Sequence, residues 1–269
     1  MKLPNCDSLE IEEFFGSSIP KRYATLSHTW EADEATFQEV GNLERMNNKQ
    51  GWVKIRQACR IAQEHRCPYI WIDTCCINKW DFSELTEAIN SMFKWYAGSS
   101  ICLAYLEDIE LDLSQSRVHF QESRWFTRGW TLQELIAPPQ VYFYDKNWEF
   151  FGSRYSLAEI TGTVLESSWA AGRQTTREED IAYCLLGIVG VYMPLFYGEG
   201  DRTFIRLQEE IIKASDDASL FAWVQQRSCP GQAPRQLYCG VLAKSPDEFA
   251  HFKRLEIWPR FRQDFEVLF

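Results

Sequence analysis

The sequence predicts an α/β fold: a parallel sheet with helices on both faces, continued by a helix-rich extension that holds short strands. Three observations predict it. Apolar, β-rich runs alternate with amphipathic segments of helical period through the first 150 residues. One of these runs, YIWID at 69–73, is apolar without a break up to its closing Asp, as a strand buried on both faces must be. Beyond residue 150 the β-rich runs give way to helical periodicity.

The elements follow in order. RYATLSH, 22–28, is β-rich and starts just past Pro20. In GWVKIRQACRIAQEHRC, 51–67, Val53, Ile55, Ala58, Cys59, Ile61 and Ala62 recur at helical spacing. The strand YIWID comes next. In DFSELTEAINSMFKWYAGS, Asp81 and Glu84 have capping-box spacing, and Leu85, Ile89, Met92, Phe93 and Tyr96 make the apolar face. ICLAYLED, 101–108, is a third strand. A polar stretch, 110–122, leads into RWFTRGWTLQELIAP, a short helix stopped by Pro138 and Pro139. VYFYD, 141–145, is the fourth strand. Residues 1–150 thus form the sheet domain, and 151–269 form the extension packed on it, with no flexible linker between them. In the extension, 173–191 reads as a helix opened by a Thr176–Glu179 capping box and ended at Gly187 and Gly190. MPLFYGEG reads as a loop, 201–215 as a strongly amphipathic helix, and SLFAWV and LYCGVLA as short strands.

Composition bounds the function. The 269 residues are 45% hydrophobic and carry a net charge of −10 with no basic stripe, which argues against nucleic-acid binding. No apolar run reaches the roughly 18–20 residues of a membrane span, and the N-terminus lacks the apolar stretch of a signal peptide. A cytoplasmic protein with reduced thiols is expected. The cysteines form no C-x-x-C pair and the histidines no ligand spacing, so no metal site is expected. The glycine-rich phosphate loops are absent, so a dinucleotide would have to bind outside the Rossmann manner. The closing EVLF, 266–269, resembles the start of a protease-cleavage tag, which would end the natural sequence near Phe265; the plainer reading is a native strand.

In parallel sheets ligands bind beyond the carboxyl ends of the strands. Those ends carry Ser27, His28, Thr29 and Trp30; Asp73 through Cys75, Cys76 and Asn78; and Glu107 with Asp108. Asp73 either caps the following loop or meets a ligand hydroxyl. Trp30 or Trp130 could stack on a flat ring, or simply pack. Arg128 could hold a phosphate, or form a surface ion pair. Cys75 and Cys76 read as small buried residues rather than as a thiol nucleophile. Glu134, four residues after Trp130 in RGWTLQEL, is the carboxylate on which chemistry could rest. Its competing role is structural, since Thr131 and Glu134 have capping-box spacing. Either way it falls in a first helical turn, where the helix dipole favours the ionised form.

The stretches YATLSHTW, WIDTCCINKWDFSELTEAINSMFKWY, SRWFTRGWTLQELIAP and RQTTREEDIAYCLLGIVGVYMPLFYGEG together resemble the heterokaryon-incompatibility (HET) domain of filamentous fungi, over about residues 20–215. Where the family's first motif has Gly after the Trp, this chain has Glu31. HET domains in turn look like TIR domains, which have a flavodoxin-like sheet. GWTLQEL is similar to the TIR stretch whose Glu is essential for cleaving NAD, which lands on Glu134 with Trp130 as companion; nucleotide contacts at the first strand's end land on Ser27–Trp30. The resemblance therefore implies a cell-death effector with NAD as substrate and no cofactor, assembling into a homo-oligomer on activation under a regulatory domain or partner. Two alternatives stand beside it: a HET module that signals by self-association or partner contact without catalysis, and a nucleotide sensor without turnover.

Overall fold

The computed structural model describes residues 1–40, 49–111, 120–158, 170–215, 218–221, 223 and 241–250. Two short strands, β1 (Lys2–Pro4) and β2 (Ile11–Glu13), pair antiparallel as a hairpin at the N-terminus. The main sheet has five strands: β3 (Ala24–His28), β4 (Ile70–Ile72), β5 (Ile101–Tyr105), β6 (Val141–Tyr144) and β7 (Phe150–Ser153). Their order is β4-β3-β5-β6-β7, parallel throughout except for the antiparallel edge strand β7. β3, β4 and β5 are buried along their whole length, which explains the unbroken apolar character of β4 and β5.

Helix α1 (Gln50–Glu64) connects β3 to β4 in one direction across the sheet. The short α2 (Asp73–Cys76) and α3 (Phe82–Ala97) lead from β4 to β5, and α4 (Thr131–Ile136) from β5 to β6, in the other. Right-handed crossovers that run in opposite directions put their helices on opposite faces. Hence α3 and α4 pack together while α1 covers the other side. Asp81 does cap α3, accepting from the backbone N–H groups of Ser83 and Glu84 at 2.9 and 3.1 Å. Its supposed box partner Glu84 turns instead to the Asn78 N–H and to Lys2. Val53, expected on the apolar face of α1, is exposed.

The extension departs further from expectation. The helix expected over 173–191 is two single turns, α5 (Asp180–Tyr183) and α6 (Leu186–Val189). Glu179 makes no capping box; its carboxylate accepts from the N–H groups of Gly198 and Gly200 and ties down the 192–201 loop. The helix expected at 201–215 is present as α7 (Arg202–Ala214), with Phe204, Leu207, Gln208 and Ile211 inward at helical spacing. The strand expected in SLFAWV is a 3₁₀ turn over Ala218–Phe221. Of LYCGVLA, 241–243 are not a strand, and 237–240 lie outside the described residues, as does the EVLF ending.

Buried side chains form two clusters. One surrounds the sheet; the other joins Ile89 of α3 and Leu132 of α4 to α5, α6 and α7. α3 and α4 therefore face the sheet on one side and the extension on the other. Among the described residues no helix is long and apolar enough to cross a membrane.

Candidate functional site

Glu134 sits in α4, a helix of six residues whose start no side chain caps. The Thr131 hydroxyl is directed to the Trp125 and Arg128 carbonyls, at 2.6 and 2.9 Å, so the capping box suggested by spacing does not form. The turn is locked from outside. Arg173 donates to the Arg128 carbonyl at 2.8 Å, and the Gly129 N–H bonds the Gln174 carbonyl at 2.9 Å. A Cβ on Gly129 would lie 2.6 Å from the Thr175 methyl, which is why glycine stands in RGWTLQEL.

Held this way, the Glu134 carboxyl meets the end of β3. Its Oε2 accepts a short hydrogen bond from the Ser27 hydroxyl, and Ser27 Oγ accepts from the indole N–H of buried Trp125 at 2.8 Å. The Tyr96 hydroxyl, which donates to the Leu26 carbonyl at 3.2 Å, lies beside the same carboxyl. Glu134 is only 6% exposed. Burial, reinforced by the charge of Asp73, pushes its pKa up to about 8 against the opposing bonds from Ser27 and Tyr96. The ionised form expected from the helix dipole is thus overruled: one and a half turns of helix cannot offset the loss of water.

Glu134 lies on the wall of a cavity of about 250 Å³ at the carboxyl end of the sheet. His28, Trp30, Asp73, Arg128 and Trp130 line it as well, so six of the nine residues singled out from sequence converge there. Ser27 is fully buried behind Glu134. Cys76 and Asn78 do not line it. Cys76 is buried with its sulfur accepting from the Ile72 N–H, and Asn78 bonds Gln38 and the Trp80 N–H. The neighbouring Cys75 thiol is pushed well above its ordinary pKa by its bond with Cys76 and by burial, so these are packing residues.

Sequence reasoning missed one side of the cavity. Thr176, Arg177, Asp180 and Tyr197 close it from the extension, and Lys79 from the loop before α3. The Tyr197 hydroxyl donates to Asp180 at 3.1 Å, and the Trp130 side chain bonds the same carboxylate. The Lys79 ammonium stands 3.3 Å above the Trp30 ring, whose indole N–H donates to Asp73 at 2.8 Å. Arg177 lies 4.3 Å over Tyr197. Flat rings, three cations and a buried acid therefore surround one cavity. That set suits a ligand with planar rings, phosphates and a sugar.

A mostly parallel sheet flanked by helices, with a cavity at its strand ends, defines an α/β protein, and comparison with known proteins narrows the class. Residues 23–116 match the family model "Heterokaryon incompatibility protein (HET)", and 202–262 match "Domain of unknown function (DUF8212)". The chain thus carries a HET domain. It is 42% identical over 226 residues to the vegetative incompatibility protein HET-E-1 of Podospora anserina, an alignment covering 74% of this chain and 16% of that protein. No solved structure matches it.

Proposed function

We propose that this chain acts in heterokaryon incompatibility as a cell-death effector, and that it does so by hydrolysing the nicotinamide–ribose bond of NAD. The observation that carries this reading is the placement of Glu134, buried on the wall of the strand-end cavity and reaching Ser27 rather than its own helix start. The order of the parallel strands, with the first between the second and the third, supports a flavodoxin/TIR-like sheet.

The chemistry suits the site. Nicotinamide is cationic while attached and neutral when it leaves, so its departure needs no general acid. The ribose becomes oxocarbenium-like, and a carboxylate beside it stabilises the charge. In the empty cavity Glu134 is mostly protonated at neutral pH. A pyridinium ring in the cavity would favour its ionised form, so the substrate itself ionises the carboxyl that then stabilises the ribose cation. Trp30, Trp130 and Tyr197 offer ring faces, and Lys79, Arg128 and Arg177 would meet the pyrophosphate. Assembly of several copies, under a regulatory region or partner, is the switch we attach to the site in the cytoplasm, because uncontrolled loss of NAD would be lethal.

Glu134→Gln tests the reading. It keeps the shape and the acceptor for Ser27 but removes the charge. NAD loss and nicotinamide release, followed by chromatography with concentrated protein, should fall by about 100-fold or more while the circular dichroism is unchanged. An unaltered rate, or wild-type protein that leaves NAD intact even when assembled, would favour a module that signals by contact. The exposed Trp80 and Phe82, close in sequence to the cavity-lining Lys79, are the observation on that side.

A further inference from the structure

We propose that His28 is a second catalytic residue, the general base for the attacking water, and that Glu34 positions it. This inference rests on the NAD-cleavage reading above. His28 ends β3, one residue after the serine that holds Glu134, and is among the residues that line the same cavity. The side chain is 1% exposed, yet neither ring nitrogen has a hydrogen-bond partner. A buried polar ring left unsatisfied costs stability unless a ligand completes it.

Glu34 determines which nitrogen is available. Its Oε1 is occupied twice, by the Glu31 N–H at 3.0 Å and by the Lys54 ammonium. Its Oε2 is left facing His28 Nε2 at 3.5 Å. Burial alone would raise the Glu34 pKa, but His28 and Lys54 outweigh it and hold it down to about 2. A fixed negative charge thus faces Nε2, which favours the tautomer that carries its hydrogen there and its lone pair on Nδ1. Buried carboxylate, imidazole and free nitrogen in series are what a positioned base requires, and contacts of this kind tighten when the imidazolium forms.

The step balances without a further reactant. The bond from ribose C1′ to nicotinamide breaks and its electron pair leaves with neutral nicotinamide. A water oxygen bonds C1′, and the water's proton goes to His28 Nδ1 and then to solvent. The products are ADP-ribose, nicotinamide and one proton. Glu134 acts on the sugar cation and His28 on the nucleophile, so the two roles separate by nucleophile. A pyridine has no proton to lose and needs no base.

Full-length protein is therefore given NAD with and without 3-acetylpyridine, and both ADP-ribose and the exchanged dinucleotide are quantified. In His28→Ala, hydrolysis should fall by about 100-fold, exchange should fall far less, and added imidazole should restore hydrolysis. Glu34→Gln should lower kcat for hydrolysis with KM and exchange little changed. His28→Gln, which keeps a polar side chain, guards against a folding defect. If hydrolysis and exchange fall together in the His28 variants, His28 only binds or packs and the proposal is overturned while NAD cleavage stands. If wild-type protein carries out neither reaction, the NAD reading itself fails and the general base with it.

Discussion

Glu134 is held at a cost to the fold. In an unfolded chain its carboxyl ionises near the ordinary value of 4.5, whereas in the folded cavity wall burial raises this to about 8. Because the folded value is the higher one, stability falls as pH climbs from 4.5 toward 8 and is level beyond it. At pH 7 the difference of about 2.5 pH units is worth about 3 kcal/mol. Glutamine carries no such penalty. Glu134→Gln should therefore melt close to wild type near pH 4 and increasingly above it between pH 5 and 8, even as activity is lost; a melting difference that does not vary with pH would contradict the burial argument. The same shift sets the kinetics. For the free protein, kcat/KM for NAD should rise with pH through about 8, while the cationic ring in the complex moves the rise in kcat to lower pH. RGWTLQEL singled out Glu134 as the candidate acid, but not its protonation. The partners that tune it, Ser27, Tyr96 and Asp73, are 38 to 107 residues away in the chain.

At the scale of elements, the four parallel strands and the long helices were legible because their apolar runs or helical periods are sustained, whereas β1, β2 and the edge strand β7 were not. The 173–191 segment was not. Its apolar residues also recur at helical spacing, and Gly190, with a left-handed φ of +68°, ends it where expected, but Glu179 bonds the 198–200 loop instead of a helix start. Tertiary bonds broke the helix into α5 and α6, and no local pattern announces them. Gly187 shows how closely the second of these turns is pressed on α3. A Cβ there would stand 2.1 Å from the Phe93 Cβ. Gly187→Ala should thus destabilise the protein by about 1–3 kcal/mol in chemical denaturation. Phe93→Ala keeps the offending Cβ and should not relieve it. Full rescue by that second change would mean that the ring, not the backbone approach, sets the spacing.

For the whole molecule, the cavity is a joint product of its two buried clusters. The sheet side supplies His28, Trp30, Asp73 and Glu134, and the extension supplies Thr176, Arg177, Asp180 and Tyr197. Chain order hides this, because the second set lies beyond the β-rich region where strand-end reasoning looks. Charge is partitioned in the same way. The chain carries −10 overall, yet Lys79, Arg128 and Arg177 stand together at the cavity. Long-range repulsion and short-range attraction therefore oppose each other for an anionic dinucleotide. At 10 mM salt the screening length is about 30 Å, and the whole negative surface acts on an approaching ligand; at 150 mM it is about 8 Å, and only the charges at the cavity itself remain in play. Affinity for NAD should accordingly hold steady or rise as salt increases over that range, opposite to the loss expected of a basic protein. Arg177→Gln should remove part of the local term and raise KM several-fold at 150 mM, with Lys79→Gln doing the same. Isothermal titration or initial rates at the two salt concentrations measure both effects. A steep loss of affinity with salt would show that the three cations, not the acidic surface, govern approach, and unchanged KM in both variants would move the phosphates away from this rim.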